Sequence, residues 1–257
     1  MIEAMNAERI GSVGWTERTG GRLTSRECLT LAGPLVRGEL GMLAGRLAMV
    51  LRLHRGRRAA IDPAVLTPPD SALAREAETA ARDLLTPALL NHSHRAYAWG
   101  AAIAAGDGIA FDRELLYLAA MFHDTGLPSP VPHVDFTVRS AAVAREFLDR
   151  HGRPAQNADV VANAIVMHHT PGVGIDAGAE AFLLSAGAGV DVFGLGAAEI
   201  PDAVRRSVVA QHPRLGFKRE FAGLWRAEAR QVPRGRAWYL HRFALTDLSI
   251  RLAPFSG

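Results

Sequence analysis

Residues 112–128 read Asp112-Arg113-Glu114-Leu115-Leu116-Tyr117-Leu118-Ala119-Ala120-Met121-Phe122-His123-Asp124-Thr125-Gly126-Leu127-Pro128. Asp112 is a good helix N-cap, and the helix it starts runs through about Phe122. The loop that follows holds Gly126, Pro128, Pro130 and Pro132, which end the element. His123 and Asp124 therefore stand where a helix runs into a turn. Neighbouring helical residues point about 100° apart, so both can face one point only at such an irregular end.

Working outward, helical patterns occupy residues 70–85, 87–106, 136–150, 155–169, 179–192, 201–211, 217–230 and 235–252. Gly108, Gly152, Pro154, Pro171, Pro201, Pro213 and Pro233 punctuate them. Towards the N-terminus, Val36, Leu40, Leu43, Leu47 and Val50 recur at spacings of four and three, with Pro34 read as the first turn of a helix. No run alternates with strand period, and no βαβ unit is present. The reading is all-α. Residues 1–30 are expected as a weakly ordered arm and residues 31–257 as one compact domain.

Composition agrees. The 257 residues are 49% hydrophobic and 21% charged, which is ordinary for a globular chain and excludes disorder as the main state. One cysteine, Cys28, excludes a disulfide framework and suits a reducing, cytoplasmic setting. The most apolar early stretch, residues 29–53, is interrupted by Arg37, Glu39 and Arg46, so no membrane span is expected. The net charge of +3 is small, and Lys218 is the only lysine. The one basic cluster, His54-Arg55-Gly56-Arg57-Arg58, reads as a solvated, cation-favouring helix C-terminus, and nucleic acid is not expected as a partner.

The chemistry lies in the histidines and aspartates. His92 shares a helix face with Arg95 and Trp99 at i+3 and i+7. His168 ends a helix whose inward side carries Val161, Ala164 and Ile165. Asp191 ends Leu184-Ser185-Ala186-Gly187-Ala188-Gly189-Val190-Asp191, on a stripe with Leu184, Gly187 and Ala188. A carboxylate on so small and apolar a stripe is buried, which is costly unless a cation or hydrogen bonds answer it. Imidazole and carboxylate donors suit Zn, Fe, Mn and similar divalent ions.

The order His92…His123-Asp124…His168…Asp191 resembles the signature of the HD superfamily of metal-dependent hydrolases. More narrowly, Asn91-His92-Ser93-x-Arg95-x-Tyr97, Glu114-Leu115-Leu116, Ala164-Ile165-Val166-Met167-His168 and the segment after Asp191 resemble its cyanamide-hydratase-like branch. The resemblance covers roughly residues 70–220, and the Gly-Tyr-Pro signature of cyclic-di-nucleotide phosphodiesterases is absent. It implies a helical bundle of about eight to ten helices with one divalent ion in its centre, held by His92, His123, Asp124 and Asp191. His168 is implied as a further ligand or a substrate contact.

In such a site an open coordination position is left for water. The expected reaction adds that water to a nitrile- or cyanamide-like small molecule, with His168 or Asp135 carrying the proton and Arg95 orienting the substrate. For Asp135 the favoured reading is a helix cap, and Arg95 can equally pair with a carboxylate. The alternative reactions are phosphate-ester hydrolysis, with Arg95, Arg139 and Arg145 as cationic partners, and di-iron oxygenation using His133, His151 or His169. A non-catalytic module stapled by its metal is the alternative from another class. His54, His94, His133, His151, His169, His212 and His241 are otherwise read as core or surface residues. The helix from Pro34 has enough apolar face to dock on its own core or on a neighbouring copy.

Overall fold

A computed structural model describes residues 9–57 and 61–255. Among the described residues there are twelve α-helices and no strand beyond two isolated bridges, Arg22 with Gly235 and Val131 with Val134. The helices are α1 (Val13–Thr19), α2 (Ser25–Val50), α3 (Ala72–Leu84), α4 (Pro87–Asp107), α5 (Arg113–Phe122) and α6 (Phe136–Arg150). They continue as α7 (Ala155–Met167), α8 (Ala179–Phe193), α9 (Asp202–Gln211), α10 (Phe217–Gln231), α11 (Arg236–Phe243) and α12 (Thr246–Leu252). None is long and apolar enough to cross a membrane.

Local chemistry explains most starts. Ser71, Thr86, Asp112 and Asp135 each accept a backbone N–H from the first turn of the helix they precede, and Pro87 occupies a first-turn position where no N–H is needed. Each satisfies a donor that the helix would leave unpaired.

Helix α4 is the axis of the molecule. Most of its residues are buried, and α8 runs against it as its most extensive neighbour. The two backbones come close because glycines lie between them. A Cβ on Gly187 would collide with the Ala96 carbonyl, and one on Gly100 would lie 2.8 Å from the Leu183 carbonyl oxygen. The main core fills one side of α4 with residues such as Leu116, Phe122, Phe136, Ile165 and Leu184. A smaller cluster around Trp99, Val190, Ile200 and Phe255 fills the other.

The N-terminal region departs from expectation. Within residues 9–30, where a weakly ordered arm is expected, α1 buries Trp15 completely and α2 begins at Ser25; residues 1–8 lie outside the described residues. A capping box starts α2: Thr24 Oγ1 accepts the Glu27 N–H and the Glu27 carboxylate accepts the Thr24 N–H. Glu27 also accepts the Trp15 indole N–H at 2.6 Å, which ties α1 to α2. Pro34 thus sits inside α2 rather than in its first turn.

Other departures are smaller. The pattern over 235–252 is two helices, broken between Phe243 and Thr246, and twelve helices exceed the expected eight to ten. Helix α7 stops at Met167, which leaves His168 and His169 in the turn. The basic cluster is not a helix end: α2 ends at Val50, residues Arg55–Arg57 form a 3-10 turn, and His54 is buried 3.4 Å from Asp202. Arg58 lies outside the described residues.

Candidate metal centre

His92 comes from the middle of α4, while His123 and Asp124 follow the last residue of α5. His123 is the C-cap, and its Nδ1 lies 2.7 Å from the Ala120 carbonyl oxygen, an atom that can only accept. His92 Nδ1 lies 2.8 Å from Asp191 Oδ2, an ionised carboxylate that also only accepts. Both Nδ1 atoms therefore carry the proton, and in each neutral ring Nε2 is left as a bare lone pair.

Those two Nε2 atoms are 3.1 Å apart. Asp124 Oδ2 lies 3.5 Å from the first and 3.4 Å from the second. It is buried and has no hydrogen-bond partner among the described residues. Three acceptors thus point at one another with no proton between them. With metal–ligand bonds of about 2.0–2.1 Å, a tetrahedral site sets its ligands about 3.4 Å apart. The spacing and donor set suit one divalent ion, and among the described residues His92, His123 and Asp124 are the group whose ligand atoms all lie within 4.8 Å of one another. The arrangement also resolves the adjacency of His123 and Asp124: the helix ends at Phe122, and the turn closed by Thr125 Oγ1 on the Phe122 carbonyl lets both face inward.

His168 stands beside the three rather than among them. Its Nδ1 donates to the Ile165 carbonyl, its Nε2 is 3.8 Å from Asp124 Oδ1, and its ring meets that of His123 edge-on at 4.9 Å. Burial, helped by His123 and His169, pushes its pKa well below the usual histidine value, so it is neutral. Burial likewise lowers that of His123.

Residues 89–207 match the family model of the HD domain. The chain carries an HD domain. That segment belongs to the HD domain family, most of whose members are metal-dependent hydrolases. No curated protein matches the chain.

The HD pair is His123-Asp124, and the matched segment also spans His92, His168 and Asp191. Asp191, expected as a ligand, is used differently. It is completely buried, and its two oxygens accept five hydrogen bonds: from Arg95 Nε and Nη2, Arg214 Nη1, Trp99 Nε1 and His92 Nδ1. Burial would raise its pKa, but Arg95 and Arg214 outweigh this and hold it well below the usual carboxylate range. With every acceptor direction filled, Asp191 orients the His92 ring from behind, the role a carboxylate plays in a carboxylate–histidine–metal arrangement. Phe217 completes this layer: it stacks on His92 at 4.7 Å and carries the Arg214 guanidinium 4.9 Å above its ring.

Arg95, expected to orient substrate, is spent on Asp191 and on the His212 and Pro213 carbonyls, with no exposed surface. Asp135, expected as a proton carrier, caps α6 through Thr137 and is gripped at 3.0 Å by Nη2 of the fully buried Arg236. A carboxylate so held below the usual range has no proton to trade near neutrality. His133 is exposed, and His151 pairs with Glu76 at 2.7 Å.

One contributor escaped the sequence reading, and a second entered it only as a possible ligand of the di-iron alternative. Arg214 lies in the loop before α10, and no local pattern marks it. His169, read as a core or surface residue, lines the cavity beside His168; it stacks on Phe136, and neither of its ring nitrogens has a hydrogen-bond partner among the described residues. The adjacency of two histidines at a helix end was its only signal. The cavity encloses about 930 Å³. His92, Asp124 and His168 reach its wall, and Pro34, Phe221 and Trp225 are among its apolar lining.

Proposed function

We propose that this HD-domain protein hydrates or hydrolyses a small molecule bearing a polarised carbon of nitrile or cyanamide type, carried on an apolar body. The observation that carries this reading is the convergence of His92 Nε2, His123 Nε2 and Asp124 Oδ2, without a donor between them, with His92 and Asp124 on the wall of a large, mainly apolar cavity.

His92, His123 and Asp124 would hold a divalent ion and leave a coordination position open. When bound, the ion supplies Lewis acidity and brings the pKa of water from 15.7 to about 7. The protein's residues do the rest. Asp191, Arg95 and Arg214 keep the His92 ring turned so that Nε2 faces the site. His168, neutral and fixed through Nδ1, offers Nε2 as the atom that takes the proton from attacking water and returns it to the electrophile's nitrogen. Phe221 and Trp225 exclude bulk water and hold the apolar body of the substrate.

The phosphate-ester alternative draws less support from the arginines first named for it, which are committed; Arg37 and Arg55, on the cavity lining, are the cations such a substrate would meet. Arg95 pairs with Asp191, Arg139 with Glu228 and the Gly126 carbonyl, and Arg145 with Asp159. The test is elemental analysis of purified protein, followed by rates on cyanamide, on nitriles of increasing apolar size and on phosphate esters. Metal-dependent nitrile or cyanamide hydration, lost in a folded His123→Ala variant, supports the proposal; turnover confined to phosphates overturns it. A His123→Ala variant that unfolds, from a parent without turnover, identifies the ion as a staple.

A further inference from the structure

Helix α2 has two faces with opposite fates. Leu31 and Met42 are buried; Pro34, Gly38 and Met42 line the cavity. Arg46 reaches down to the Phe193 and Ser249 carbonyls, and the Tyr239 hydroxyl donates to the Cys28 carbonyl. The other face carries Leu29, Val36, Leu40, Leu43, Leu47 and Val50, and each leaves half or more of its surface in solvent, from 50% at Leu43 to 80% at Val50.

From Val36 to Val50 these positions alternate by four and three, and Leu29 lies one heptad before Val36, with exposed Gly33 between them. That is the seam of a coiled coil, not the wide stripe of a helix lying on a lipid surface. Leu51 and Leu53, just past the helix end, are exposed beside it, and exposed Leu245, Leu248 and Leu252 lie on the neighbouring α12 segment that Arg46 ties to α2. Together with Leu51, Leu53, Leu245, Leu248 and Leu252, the α2 side chains leave exposed apolar surface comparable to the ~800 Å² that one partner gives to a stable interface.

We infer that α2 pairs with α2 of a second copy of this chain through this seam, forming an isologous dimer. The occupant is argued from the surface itself. A 4–3 repeat is self-complementary, since knobs at one set of heptad positions fill holes in an identical helix. Charge is sparse along the seam: Arg46 is bonded inward and Glu39 is half-buried, which leaves exposed Arg37 beside it and exposed Arg26 three residues before Leu29. Because the same helix walls the cavity, the dimer contact also braces one side of the candidate site. The inference is independent of which reaction that site performs.

The test is light scattering on the full chain at micromolar concentration, with the wild type and a Leu40→Glu/Leu47→Glu variant. The wild type is expected at twice the mass of one chain and the variant at one, with unchanged helicity and metal content. A Cys28→Ser/Leu43→Cys chain, which keeps the seam, should cross-link to a covalent dimer with a short bis-maleimide, so the inference stays testable if the charged variant fails to fold. A monomeric wild type overturns it, whether or not that monomer floats with phosphatidylcholine–phosphatidylglycerol vesicles. A dimer that survives the double substitution overturns it as well.

Discussion

His92 Nδ1 and Asp191 Oδ2 lie 2.8 Å apart although 99 positions separate them in the chain, and this contact sets the direction of His92 Nε2. Asp191→Asn keeps the volume but removes the charge that Arg95 and Arg214 answer, and it sets an N–H₂ against one of them. Metal affinity should fall about 10–100-fold, as for other carboxylates that orient a ligating histidine. Stability should fall by about 3–5 kcal/mol, the cost of leaving buried charge unpaired. Competitive chelator titration and urea unfolding read the two effects; unchanged affinity would show that Asp191 does not orient the ligand.

Asp135 serves the fold, capping α6 and pairing with Arg236. Burial would raise its pKa, but Arg236 and then His169 outweigh this and hold it low. In the unfolded chain it titrates near 3.9. The stability it confers is therefore complete above that value and is lost as pH falls below it, when the unfolded chain takes up the proton first. Arg236→Met should cost about 3–5 kcal/mol at neutral pH and flatten the loss of stability on acidification, both measurable by denaturant titration across pH.

Glu228 behaves in the opposite sense. It is buried, accepts the Phe136 N–H at 2.7 Å, and has its pKa raised to about 7 by burial and by Asp135. The folded protein therefore holds a proton that the unfolded chain releases near 4.5, and stability should decline as pH rises from about 4.5 to 7. Glu228→Gln removes that slope, worth on the order of 3 kcal/mol, and keeps an acceptor for Phe136. Unfolding free energies of the two proteins should converge in shape above pH 7 and diverge below it; parallel profiles throughout would refute the assignment.

Gly187→Ala places a methyl group against the Ala96 carbonyl, where α8 and α4 touch. The clash is with backbone, so neither side yields cheaply. The cost should be about 1–3 kcal/mol. Because Asp191 is one helical turn further along α8, the shift should also weaken metal binding. Thermal unfolding and the same chelator titration check both.

The caps at Asp112 and Asp135 are readable from the residues alone, since a side-chain oxygen before an apolar repeat caps a helix through contacts three positions long, and Ser71 and Thr86 cap their helices by the same chemistry. The start of α2 is equally local, in the Thr24–Glu27 capping box, but it lies upstream of Pro34, whose first-turn preference marks a later start. The placement of His123-Asp124 at a helix end could be read for the same reason.

Local order thus specified the helices, the turn that holds the HD pair, and the burial of Asp191 on its stripe of small residues. What Asp191 would face could not be read that way. A buried carboxylate is satisfied by whichever cation reaches it, and the answer came from Arg95 across the α4–α8 contact and Arg214 from a loop 23 residues on. Its role passed from ligand to support because long-range packing, not sequence spacing, brings charges within 3 Å of one another.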